Sequence, residues 1–221
     1  SGMRVVVLFP DGKVPPRQER QFSTLGGNVL AVAVQGDFDD CQRLAKEAFL
    51  EDMRMRESGN SQRPILTSAN SINIGRFLPQ ITYFFKLWAD LNAQKNGKDR
   101  NRTKILVSVP SGNFGNLAAG LVAKRMGLPG ISFIAATNEN DVVPEYLETG
   151  IFSPRPSVPT LSTAMDVGDP SNLDRIRHLY GEDLEALRRD VLGVSVTDEE
   201  TRSCIRRVWG ETGYVLDPHS A

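Results

Sequence analysis

The chain has 221 residues, 40% of them apolar, which is enough for one large or two small domains with a real core. Its 26 basic and 27 acidic residues are interspersed and nearly cancel, so no cationic face is available for nucleic acid or anionic lipid. Unbroken apolar runs such as "VVVLF" are too short to span a bilayer and no secretory leader precedes it, so the expectation is a soluble, cytoplasmic protein with neither nucleic acid nor membrane as partner. Ser1-Gly2 ahead of Met3 reads as a cloning remnant. Cys41 and Cys204 lie far apart, each inside an expected helix and outside any Cys/His cluster, so no metal site is expected.

Short β-branched runs alternate with stretches of helical period, which predicts an α/β chain with a mostly parallel sheet. A buried strand is expected over 5–9. A helix then opens at Pro15-Pro16 and closes at Gly26-Gly27, because proline suits the first turn and glycine the residue past the end. A second strand follows over 28–34. Asp37 caps a helix to about 55 with Leu44, Ala45, Ala48 and Phe49 on one face, and "RESGNSQR" is an exposed loop. Residues 71–91 carry apolar side chains at three- and four-residue steps, the pattern of a long, mostly buried helix that Pro79 must kink or restart. After the polar linker "AQKNGKDRNR" come a strand to Val109, a glycine-containing loop, a helix over 117–126 and a strand over 131–137. Helices are expected at about 172–180, 183–190 and 198–209, the last opened by a Thr197/Glu200 capping box.

The loop "SGNFGN" stands where the carboxyl end of a strand meets the amino end of a helix, a place that favours an anion through free backbone N–H groups and the helix dipole. Glycines admit close approach, Ser111, Asn113 and Asn116 offer neutral donors, and no carboxylate intrudes. It is not a P-loop, because Leu121-Val122 occupy the Lys-Ser/Thr positions, and its GxxG spacing is not the dinucleotide fingerprint. On spacing alone, a phosphate cradle and an ordinary tight turn both remain open.

The segment "VPSGNFGNLAAGLVAKRMGLP" resembles the cofactor-phosphate loop of the threonine synthase family, enzymes of fold type II that use pyridoxal 5'-phosphate (PLP). "SANSINIGRFLPQITYFF", "FIAATNENDVVPEYLETGIFSPRPSVPTLSTAMDVGDPSN", "LFPDGKVPPRQERQFSTLGGNV" and "QGDFDDCQRLAKEAF" resemble further stretches of the same family in the same order. The resemblance implies a three-layer α/β fold, here incomplete, with most of a small domain in 1–68 and part of the PLP-binding domain in 69–221. It implies conversion of O-phospho-L-homoserine and water to L-threonine and phosphate by β,γ-replacement. It places Ser111, Gly112, Asn113, Phe114, Gly115 and Asn116 around the PLP phosphate. Asn70, Ser71, Asn73 and Arg76 fall on the substrate side, where the plain alternative is a helix cap at Ser71 and an ion pair at Arg76.

In the family the Schiff-base lysine lies in a Phe-Lys-Asp motif upstream of anything matched here, so no catalytic residue is assigned. Lys98 in "GKDR" has a glycine where the aromatic belongs and is read as a decoy. His219 matches a family stretch without a role, and His178 reads as a surface residue. The expectation is an internal piece of the enzyme, inactive alone and prone to self-association through apolar faces such as Phe84, Phe85 and Trp88. Alternatives kept open are a phospholyase acting on another phosphorylated amino acid, a non-catalytic interaction protein, and a Rossmann-type nucleotide or phosphate module.

Overall fold

A computed structural model describes residues 2–59, 65–93 and 104–221. The chain divides into two compact units, residues 1–68 and 69–221.

In the first unit β1 (Val5–Pro10) and β2 (Val29–Val34) pair in parallel with Val5 opposite Val29 and Pro10 opposite Val34. Helix α1 (Pro16–Ser23) connects them, with Pro16 in its first turn, and Gly26 and Gly27, both at φ 62°, turn the chain into β2. Asp37 and Asp40 form a reciprocal capping box, each carboxylate accepting from the other's backbone N–H at 3.0 Å, and so open α2 (Phe38–Glu57). The expected buried strand is only half buried: Phe9 is enclosed and packs on Phe22 at 5.0 Å, whereas Val5 and Val6 are exposed. On α2 the enclosed residues are Cys41 and Gln42, and Ala48, expected on the buried face, is exposed. A sheet of only two strands with two helices leaves much of each apolar face without a covering layer among the described residues.

The second unit holds β3 (Ile105–Pro110), β4 (Ile131–Thr137) and β5 (Val191–Ser195) in the order β3-β4-β5, all parallel. Helix α5 (Gly115–Arg125) makes the β3-to-β4 crossover. Between β4 and β5 run α6 (Val142–Thr149), a short 3-10 turn (Thr163–Met165), α7 (Leu173–Tyr180) and α8 (Leu184–Asp190). Strand β5 and helix α6 were not legible in the sequence. Proline 79 lies in a 3-10 turn (Leu78–Gln80) that separates α3 (Ile74–Phe77) from α4 (Ile81–Asn92), so it restarts the helix rather than bending it. Phe77, Ile81 and Phe84 enter the core while Tyr83 and Leu91 stay exposed, so the segment is amphipathic rather than mostly buried. Of the three aromatics expected at the surface, Phe84 is buried, Trp88 is partly buried against the core and only Phe85 is exposed. Helix α9 (Asp198–Thr212) follows β5 and opens with the expected box, Thr197 N–H donating to Glu200 Oε2 at 2.8 Å. No helix among the described residues is long and apolar enough to cross a membrane.

The core sits between one face of the three-stranded sheet and its helices, and holds Phe133 and Ala135 of β4 with Leu117 and Leu121 of α5. Leu106 and Leu192 project from the strands to solvent, 64% and 60% exposed. Helix α5 reaches the sheet through Gly120: a Cβ there would stand 2.6 Å from the Phe133 ring and 2.9 Å from that of Phe84, which themselves pack edge-on at 5.6 Å. Gly120→Ala is therefore expected to overpack the core and lower unfolding free energy by about 1–3 kcal/mol, read from urea denaturation; a stability equal to the parent chain would contradict this packing.

Candidate cofactor site

The expected loop leaves the carboxyl end of β3 and enters α5. Ser111 N–H donates to Ala136 O at 2.7 Å and its hydroxyl to Val109 O at 2.9 Å, so this buried residue ends the sheet ladder and its donors are committed there. Phe114 is the N-cap of α5 and adopts a left-handed backbone, φ 58° and ψ 14°, a conformation that costs a non-glycine residue about 1–2 kcal/mol. Its ring is buried in the core, which anchors the strained turn. Consequently no side chain caps the helix, no acidic residue lies in its first turn, and the leading N–H groups of Gly115, Asn116 and Leu117 begin the helix without a side-chain acceptor. An anion placed there completes an otherwise uncapped helix end.

Neither Gly112 nor Gly115 has a positive φ, so the left-handed angle that glycine would ease belongs instead to Phe114. Gly112 is required by close approach: an added Cβ would stand 2.7 Å from Met165 Cα and 3.0 Å from Ala164 O. At Gly115 the nearest atoms, on Asn172 and Ser71, would be 3.5 and 3.6 Å away, which is ordinary contact.

Of the residues expected on the substrate side, Ser71 meets this loop. Asn113 Nδ2 donates to Ser71 Oγ at 2.6 Å, Ser171 Oγ donates to Asn113 Oδ1 at 3.0 Å, and Asn116 Nδ2 donates to Gln80 Oε1 at 3.0 Å. Asn70 Oδ1 accepts from Ser71 Oγ and from the Ile72 N–H. The helix cap is Asn73, which accepts from Gly75 N–H at 2.8 Å, so Ser71 is freed from that role. Arg76 is exposed, donates to Ala69 O and, among the described residues, forms no ion pair with a carboxylate.

Two residues that sequence reasoning missed hold this constellation together. Asn172, fully buried, donates from Nδ2 to Asn113 O at 2.8 Å. Arg175 donates to Ser71 O at 2.8 Å and also to Ile72 O and Asn172 Oδ1, tying the two loops to α7. The only sequence signal was "PSN" ahead of a helix, which reads as an N-cap; Asn172 is the N-cap, but its side chain bonds across the site instead. The lysines described in this unit lie elsewhere. Lys86 pairs with Asp90, Lys124 at the far end of α5 pairs with Asp190, and Lys104 precedes β3 at the opposite end of that strand. Lys98 lies outside the described residues.

A profile of the family described as "Pyridoxal-phosphate dependent enzyme" matches residues 1–221. The chain belongs to that family. It is 46% identical over its whole length to the threonine synthase of Serratia marcescens. The threonine synthase structure from Escherichia coli superposes on 98% of the chain with a TM-score of 0.81 at 46% identity, and a PLP-bound threonine synthase from Brucella melitensis on 99% with a TM-score of 0.76 at 33% identity. The chain spans about half the length of these relatives: 48% of the Serratia protein, 47% of the Escherichia chain and 50% of the Brucella chain. The expected PLP-enzyme α/β fold is thus borne out.

The described residues suit the phosphate end of the family's cofactor. The helix start is uncapped, free of carboxylates in its first turn and approached by glycine backbone. Gly112→Ala is expected to cost about 1–3 kcal/mol of stability and to lose sulfate binding in calorimetric titration, because the Met165 backbone must shift. Gly115→Ala is expected to change stability by less than about 1 kcal/mol. Equal effects of the two substitutions would remove the close-approach explanation.

Proposed function

We propose that this chain contributes the cofactor-phosphate half of a cytoplasmic threonine synthase, whose substrates are O-phospho-L-homoserine and water and whose products are L-threonine and phosphate. The single observation that carries the reading is the uncapped amino end of α5 knitted to the Ser71 loop through Asn113, in a chain 46% identical to a threonine synthase. The N–H groups of Gly115, Asn116 and Leu117 hold the PLP phosphate, and the Gly112 and Phe114 backbone shapes the turn around it. Ser71, Asn70, Asn73 and Arg76 face the substrate. Arg76 is the cation suited to the substrate's phosphate, because it is exposed and its fork donates to the Ala69 carbonyl rather than to a carboxylate among the described residues. PLP when bound supplies an electron sink for the carbanions that elimination of phosphate and addition of water require. This chain's part is to bind, orient and neutralise phosphate charge; none of the described lysines is assigned the proton-transfer role.

The chain by itself is accordingly expected to make no threonine from O-phospho-L-homoserine, and, with Leu106 and Leu192 open to solvent, to self-associate. After incubation with PLP and borohydride reduction, peptide mapping should find no single stoichiometrically labelled lysine. One such site would overturn the division of labour and return attention to Lys98. Arg76→Ala should weaken O-phospho-L-homoserine binding about tenfold, the scale of one charged hydrogen bond, while leaving PLP affinity unchanged. Loss of PLP affinity alone would instead assign Arg76 to the cofactor.

A further inference from the structure

Beyond the loops already described, the unit holds a carboxylate with four hydrogen-bond donors that none of the assigned roles uses. Asp166 Oδ1 accepts from Asn138 Nδ2 at 2.8 Å, from Thr160 Oγ1 at 2.7 Å and from Asn140 Nδ2 at 3.2 Å, while Oδ2 accepts from Thr160 N–H at 3.1 Å. Asn138, Asn140 and Thr160 are buried. Asn138 directly follows β4, and its Oδ1 accepts from both the backbone and the side chain of Asn140. Asn140 in turn bonds Val158 through both its amide oxygen and its amide nitrogen. The knot therefore fastens one segment, residues 155–168, to the carboxyl end of the central strand.

That segment is a closed strap. Arg155 N–H donates to Gly168 O, and a Cβ on Gly168 would stand 1.7 Å from Arg155 O, so its two ends are in backbone contact. Two further acceptors fix its outer side: Asp198 Oδ1 receives Leu161 N–H at 2.9 Å and His219 Nε2 receives Ala164 N–H at 3.2 Å. Its inner side is the Ala164-Met165 backbone, the surface that lies against Gly112. The strap thus forms a wall of the phosphate loop, and the knot sets where the wall stands. β3 and β4 are neighbours in register to Pro110 opposite Ala136, so the loop and the knot hang from adjacent strand ends.

We infer that Asp166 is a positioning residue for the cofactor-phosphate loop, holding Ala164-Met165 against Gly112 so that the backbone N–H groups at the start of α5 converge on one anion. This rests on the phosphate-site reading above. Burial pushes the Asp166 carboxyl above the usual carboxylate range and Asp198 adds to that, while the bonds from Thr160 and Asn138 oppose it. Keeping a carboxylate there carries a desolvation cost that its four donors offset, and an amide of the same shape would turn an N–H toward those donors.

The test uses the 221-residue chain, with inorganic phosphate as the probe followed by calorimetry, and with the ligand-free amide resonance of Gly112 as a second readout. Asp166→Asn should bind phosphate about tenfold more weakly and displace the Gly112 resonance before any ligand is added, with an unchanged far-ultraviolet circular dichroism spectrum. Thr160→Val, which removes one donor and keeps the carboxylate, should give a smaller loss in the same direction and carries the test if Asp166→Asn does not fold. Tyr180→Phe, which breaks the 2.7 Å bond to Asp190 far from the strap, controls for stability alone and should leave affinity unchanged. Parent-like affinity and an unmoved Gly112 resonance in a folded Asp166→Asn or Thr160→Val variant would overturn the inference, as would an equal loss in Tyr180→Phe. If the parent chain binds no phosphate, the phosphate-site reading fails, and the Gly112 resonance alone still decides whether Asp166 positions the loop.

Discussion

The hydrogen bond from Ser111 N–H to Ala136 O, 2.7 Å long, closes the β3–β4 ladder, and the site depends on where it does so. One residue later the chain must leave the sheet, pass within contact of the Met165 backbone and start a helix within four positions. Only a residue without a side chain fits the first of these steps, and only a left-handed residue gives the last its direction. Gly112 supplies the former and Phe114 the latter. The helix that results presents its first N–H groups with no side-chain cap, which is the physical basis for the phosphate site proposed there.

Around this turn the structure spends polar side chains on position rather than on solvent. Asn113, Ser71, Ser171, Asn172 and Arg175 bind one another or one another's backbone, so three loops distant in sequence have a fixed register before any ligand arrives. Asp166, Asn138, Asn140 and Thr160 do the same for the strap behind the glycine. At the proposed site a phosphate would meet donors already held in place, which reduces the ordering cost of binding. The left-handed backbone at Phe114 is the strain retained in return, and the burial of its ring keeps it in place.

Much of the fold was legible because the relevant physics is local. β4 occupies the residues its apolar run predicted, and the Thr197/Glu200 box opens α9 where that pair requires. Pro79 also acted locally, with the second of its two possible outcomes. Strand β5 was missed because Gly193 interrupts its apolar run, and that glycine answers a distant demand: a Cβ there would meet Pro144 Cα of α6 at 2.7 Å. At the site, the loop and its Ser71 partner were legible through resemblance to a family, but the reasons for the glycines were not. The sequence suggested close approach to an anion, whereas the requirement at Gly112 is the approach of the Met165 backbone, 53 positions away, which no local pattern encodes. Asn172 and Asp166 were invisible for the same reason, since Asn113 lies 59 residues from the first and Asn138 lies 28 from the second, a proximity only the fold creates.

On the proposed reading the backbone at the start of α5, rather than the side chains of Ser111 or Asn113, holds the anion. That reading is tested most directly by titrating inorganic sulfate into isotopically labelled chain and following each amide. Saturable shifts are expected at Gly115, Asn116 and Leu117 together, with the side-chain amide of Asn113 still bonded to Ser71. The reading is contradicted if those three amides stay fixed while the chain saturates with sulfate elsewhere.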